Sequence, residues 1–220
     1  MEYYNTAIRF FQDGGPFMLP ISLVLAIGLA IAFERMLFLA SSKRANKQAL
    51  IALQPLLGNR DYDAIKQYAQ NNSSAIANII ASGITRLSHS KRREDIEYAM
   101  EESVLEVMPR LEQRTSYLAT LANIATLLGL LGTIIGLIAA FSAVANADPA
   151  EKASLLSQSI SIAMNTTAFG LIAAIPLLLC HSVLQSKTTQ IINSMEMTGV
   201  KCLNLLSVRY EMGNKTRSSD

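Results

Sequence analysis

Residues 127–141, LLGLLGTIIGLIAAF, carry Gly129, Gly132, Thr133 and Gly136 in a run without a single charge. Each glycine weakens a soluble helix by about 1 kcal/mol relative to alanine. A buried hydroxyl costs free energy unless it finds a partner. An ordinary hydrophobic core has no use for either, so this run serves something besides filling space.

The surrounding chain has the same character. Half of its 220 residues are hydrophobic and 16% are charged, against roughly 25% charged in a typical soluble domain. Three segments contain no Asp, Glu, Lys or Arg: residues 14–33, 115–147 and 153–186. About 20 apolar residues suffice to span a bilayer, so the chain is expected to cross the membrane three times. The expected fold class is an all-α membrane protein with three transmembrane helices. The second and third of these extend into a cytoplasmic helical bundle.

Orientation follows from the flanking bases. Arg9 alone precedes the first span, and Lys152 alone lies between the second and third. Eight of the bases, Lys43, Arg44, Lys47, Arg60, Lys66, Arg86, Arg110 and Arg114, lie in the middle segment with the cluster Lys91-Arg92-Arg93, and five more follow the third span. The N-terminus is therefore expected outside and the C-terminus inside. The expected divisions are a periplasmic N-terminus (1–15), a first span (16–40) and a cytoplasmic helical domain (41–114). A second span (115–146), a periplasmic loop (147–153), a third span (154–184) and a cytoplasmic helix and tail (185–220) follow. The opening MEYYNTAIRFFQDGG has an acid, one base and no small-residue cleavage site, so the first span reads as an uncleaved anchor.

Within 41–114 the apolar spacing is helical, with breaks expected at Pro55 and at Gly58-Asn59. The cluster Asn71-Asn72-Ser73-Ser74 suits a helix N-cap. Ile96, Met100, Leu105, Met108 and Leu111 form one stripe, and the helix bearing them is expected to run unbroken into the second span. The acids Glu94, Asp95, Glu97, Glu101, Glu102 and Glu106 read as a solvated face. Residues 212–220, MGNKTRSSD, read as an unstructured polar end. A net charge of +2 without an aromatic-interleaved basic stripe gives no sign of nucleic-acid binding. Cys180 and Cys202 lack metal or disulfide spacing, and His89 and His181 stand alone. No catalytic constellation, metal site or cofactor motif is present in the sequence.

Within a bilayer, small residues and hydroxyls bring helices together because lipid is as apolar as leucine. Thr126, Gly129, Thr133, Gly136 and Ala140 recur at steps of three and four along the second span. Ser159, Ala163, Thr166, Gly170 and Ala173 do the same in the third, with Thr167 alongside and Pro176 placed to kink the helix. Gly129, Gly132, Gly136, Gly170 and Pro176 are the expected packing positions. Thr133, Asn165, Thr166 and Thr167 are the expected ion-pathway residues. Two readings fit these strips: tight packing alone, as in a non-conducting scaffold, or a partly hydrated path for a small ion. No ionisable side chain lies deep in any span, and transport usually needs one. A path here would be a half-site completed by another chain.

The segments GGPFMLPISLVLAIGLAIAFERMLFL, LLGLLGTIIGLIAAF and SISIAMNTTAFGLIAAIPLLL together resemble the three spans of the MotA/TolQ/ExbB family, ExbB/TolQ branch. The resemblance covers nearly the whole chain. It implies a homo-oligomer, a pentameric ring in the bacterial inner membrane. The ring would surround a single-span ExbD/TolR-like partner that supplies a membrane aspartate, and a TonB-like protein would receive the work. Thr133 and Thr167 match the family's pore-lining threonines. Ile162 stands where the branch usually has a glutamate, so no proton-relay role is carried over to that position. The Thr166-Thr167 pair resembles sodium-driven stators, which leaves proton and sodium both open as the coupling ion.

Overall fold

A computed structural model describes residues 14–59, 61–90, 92–145 and 147–217, with side chains as far as Leu206. The described residues form only helices and the turns joining them: α1 (Met18–Asn59), α2 (Tyr62–Asn71), α3 (Ala75–His89), α4 (Arg93–Glu112), α5 (Thr115–Ala145) and α6 (Lys152–Arg217). The protein is an all-α membrane protein. Three helical stretches, carried by α1, α5 and α6, are long and apolar enough to cross a bilayer. The greater part of the N-terminal segment 1–15 lies outside the described residues, as do residues 218–220.

The chain divides into two units. The first combines residues 14–35 with 114–184 and contains the apolar parts of α1, α5 and α6. Its outward faces carry large exposed apolar side chains, among them Leu23, Phe33, Leu127, Ile138 and Leu179. Such a surface suits lipid or another membrane helix rather than water. Its inward positions are small: Ala122, Ala125 and Gly129 on α5, and Ala163, Gly170 and Ala173 on α6.

The second unit combines residues 36–113 with 185–217. Its core holds Leu39, Leu53, Ile65, Ile79, Ile80, Ile84, Met100 and Met195. Here two helix starts are capped, that of α3 by Ser74 of the expected Asn/Ser cluster and that of α2 by Asp61. Asp61 accepts from the Ala64 N–H at 3.1 Å, and the Ser74 hydroxyl accepts from Ala77 N–H at 3.2 Å. Each cap satisfies a donor that the first turn leaves open. The Arg110 guanidinium lies 5.9 Å from the centre of the Phe38 ring, linking α4 to α1.

The expected break at Gly58-Asn59 is where α1 ends, while two other expectations are corrected. Pro55 lies inside α1, which continues to Asn59. Pro55 is exposed, so water can reach the carbonyl that its missing N–H leaves open. The helix expected to run unbroken through Pro109 instead stops at Glu112. Arg114 adopts φ 64°, and Gln113 N–H caps the Pro109 carbonyl at 2.9 Å. A left-handed residue is the usual way to end a helix, though glycine more often supplies it. The polar end also stays helical as far as Arg217.

Cys202 is buried in the second unit, and desolvation pushes its thiol from the ordinary 9.0 up to about 12. Below pH 9 the thiol is neutral in folded and unfolded chains alike. Above pH 9 only the unfolded chain ionises, so stability falls as the pH climbs from 9 towards 12. Cys202→Ala should flatten that part of the stability curve, read as thermal midpoint against pH.

Candidate ion pathway

The site is built on the contact between α5 and α6 in the first unit. A Cβ added at Gly170 would lie 2.8 Å from the Ala125 carbonyl oxygen and 3.0 Å from Gly129 Cα. A Cβ at Gly129 would lie 3.3 Å from the Cα atoms of Gly170 and Thr167. The two backbones therefore touch directly: a Cβ at Gly170 would force a shift, and one at Gly129 would crowd the facing backbone. Gly136 faces Ala163, where an added Cβ would sit 2.9 Å from the Ala163 Cβ. Gly132 faces Thr166, with 2.3 Å between its hypothetical Cβ and the Thr166 methyl. Pro176 is exposed within a continuous α6, away from this seam.

The contact strip of α5 differs from the one traced in the sequence. Leu118, Ala122, Ala125, Gly129, Gly132 and Ala140 are its buried positions, whereas Thr126 is exposed and donates to Ala122 O at 3.1 Å. The strip on α6 is buried at Ala163, Thr166, Gly170 and Ala173, while Ser159, which begins the traced strip, is half-buried.

The close approach fixes the threonines. Thr167 Oγ1 donates across the seam to the Gly129 carbonyl at 3.0 Å. That carbonyl lies one helical turn before Thr133, whose own hydroxyl donates to Leu130 O at 2.6 Å. A hydroxyl has one proton and two lone pairs. With both protons committed to backbone carbonyls, Thr133 and Thr167 present only acceptor lone pairs. Such oxygens suit a cation, a hydrated proton or the O–H of a protonated carboxyl group.

Thr166 behaves differently. It is 2% exposed, and its hydroxyl lies 2.6 Å from Gly14 O and 2.9 Å from Ile162 O. Its proton is taken up in tying the Gly14 turn to α6. Gly15 in that turn has φ 73°, and Ile162 lies 3.1 Å from its hypothetical Cβ. Asn165 is half-buried and precedes Thr167 by two residues, about 200° around the helix. The four polar residues of the candidate pathway thus divide: Thr133 and Thr167 lie at the α5–α6 seam, Thr166 anchors the turn, and Asn165 points to another side.

Arg35 is 2% exposed. Ile21, Gly28, Ala32 and Leu39 are buried on the same helix, and Arg35 continues their steps of three, four and seven. That periodicity was the signal available. Next to it, Glu34 pairs with Arg114 at 3.1 Å, both about half exposed.

A sequence model of the MotA/TolQ/ExbB proton channel family matches residues 71–197. This stretch takes in α3, α4, α5 and most of α6, and so both seam threonines. The chain belongs to the MotA/TolQ/ExbB family. Among its relatives is a putative biopolymer transport protein ExbB homolog from Methanothermobacter thermautotrophicus. It is 26% identical over 200 residues, which cover 90% of this chain and 69% of the relative. The MotA/TolQ/ExbB family is one of channels rather than enzymes, and this member is a multi-pass membrane protein with an α5–α6 seam built on glycine and threonine.

Proposed function

We propose that this protein is an ExbB/TolQ-like subunit of an ion-driven motor that converts ion motive force into work on the cell envelope, in TonB-dependent or Tol-type transport. Copies form a ring, a pentamer, with the N-terminus periplasmic and the 36–113 and 185–217 unit cytoplasmic. The ring encloses a single-span ExbD/TolR-like helix whose aspartate carries the transported ion. One observation carries the reading: the Thr133 and Thr167 hydroxyls both offer acceptor oxygens inside a span pair that has no Asp, Glu, Lys or Arg of its own. A carboxyl group on the partner alternately holds and releases the ion, and the threonine oxygens accept a hydrogen bond from its protonated form. Thr166 is buried, with its hydroxyl holding the Gly14 turn to α6, so Thr167 alone of that pair serves the path. This supports the proton over sodium as the coupling ion.

The test is reconstitution in vesicles with an acid-bearing single-span partner from the same host. A pH gradient should collapse faster with the intact partner than with one whose carboxylate is changed to the amide, and sodium removal should leave the rate unchanged. Equal rates with both partners would refute the channel reading, and a rate that needs sodium would reverse the choice of ion.

A further inference from the structure

The second unit carries two exposed surfaces of opposite character on its opposite sides. On one side, α3, α4 and α6 enclose an open groove of about 370 Å³. Met100, Val104 and Leu203 line it with apolar side chains, and Glu97, Glu101 and Glu196 supply its carboxylates. The second surface is the outer face of α1. Lys43, Arg44 and Lys47 are exposed there, flanked by the exposed apolar residues Leu37 and Ile51. None of these three bases or three acids forms an ion pair with another described residue.

Helix geometry sets the directions of the two surfaces. The α1–α4 contact is marked by Phe38 beneath Arg110. Lys47 follows Phe38 by nine residues, and Glu101 precedes Arg110 by nine. Nine residues amount to about two and a half turns, so each side chain points away from that contact. The basic face and the acidic groove therefore look outward in opposite directions. Their levels also agree. Counted along the helices at 1.5 Å per residue from Met36, Gln113 and Gln185, Lys47 lies about 16 Å in. On the same count Glu101 lies about 18 Å in and Glu196 about 16 Å.

We infer that the groove between α3, α4 and α6 receives the Lys43–Ile51 face of α1 from a second copy of this chain. Complementary patches on opposite sides of one subunit make a head-to-tail contact, which closes into a ring when the rotation allows. Copies held in one membrane can rotate only about its normal, and Lys47, Glu101 and Glu196 lie at similar helix lengths from the boundary residues of their unit. Lys43 and Lys47 pair with Glu101 and Glu196 while Ile51 covers the apolar floor. The carboxylates of α4 that read as a solvated face in the sequence include half of this joint. The inference deepens the self-assembly in the proposed function and depends on it.

The test uses the full chain extracted in mild detergent, with assembly read by native mass spectrometry. Glu101→Lys with Glu196→Lys should weaken self-association by about tenfold or more, because attraction becomes repulsion. Lys43→Glu with Lys47→Glu should do the same, and the fourfold variant should recover the wild-type assembly. A chain with Lys47→Cys and Glu101→Cys, its native thiols removed by Cys180→Ser and Cys202→Ala, should give an oxidation ladder ending at the ring size. Assembly of the wild type with no ladder and no response to charge reversal would overturn the joint and leave the ring standing. Loss of a co-purified partner with the ring intact would assign the groove to that partner and overturn the inference. A wild type that is monomeric would sink both readings.

Discussion

Gly170→Val should disrupt the α5–α6 pair and with it the assembly. The added Cβ would meet the Ala125 carbonyl oxygen at 2.8 Å and Gly129 Cα at 3.0 Å, and neither is the tip of a side chain that can swing aside. Relief requires the helices to separate along the whole seam, which also lengthens the 3.0 Å bond from Thr167 to Gly129 O. Forcing extra methyl groups into a close-packed contact costs about 1–3 kcal/mol and sometimes more, and in lipid no solvent-driven term restores the pair. Gly136→Ala provides the comparison. Its new Cβ would meet the Ala163 Cβ at 2.9 Å rather than a fixed carbonyl, so a smaller loss is expected. Unfolding in mixed micelles, followed by circular dichroism, measures both. A Gly170→Val protein as stable as wild type would show that the two backbones do not touch.

The second large effect separates two neighbouring threonines. Thr167→Val keeps the side-chain volume and removes the oxygen that faces the pathway. A hydrogen bond between neutral groups is worth about 0.5–1.5 kcal/mol, so ion flux should fall by about two- to tenfold while the ring still assembles. Thr133→Val should behave in the same way. Thr166→Val acts on stability instead, because it leaves the Gly14 carbonyl without the donor that lies 2.6 Å away. An unsatisfied buried acceptor costs about 1–3 kcal/mol. Flux and thermal stability measured on all three variants distinguish the cases. If the Thr133 and Thr167 variants conduct normally, the strips serve packing alone and the protein is a scaffold.

The two effects meet at the glycine seam. Close approach of α5 and α6 brings the Gly129 carbonyl within reach of Thr167, so the contact that holds the helices together also orients the Thr167 hydroxyl. A looser seam would free the Thr167 proton, and the hydroxyl would lose its fixed acceptor character. Gly170→Val should therefore impair flux even in whatever fraction still assembles.

The sequence by itself determined the three spans and their all-α class, because a bilayer imposes length and apolarity directly on the residues that cross it. It also determined the small-residue strip of α6, the cap at Ser74, and the absence of Asp, Glu, Lys and Arg deep in the spans. The choice among the polar residues came from the tertiary structure. Adjacent threonines are alike in composition, yet a step of about 100° on a helix sends Thr166 to Gly14 and Thr167 to Gly129. Thr126 drops out of the contact strip for the same reason. The break at Arg114 depends on backbone dihedrals that no arginine announces. The burial of Arg35 and the opposed faces of the second unit depend on which neighbours cover each side of a helix. Periodicity shows that a helix has sides, and packing decides what each side meets.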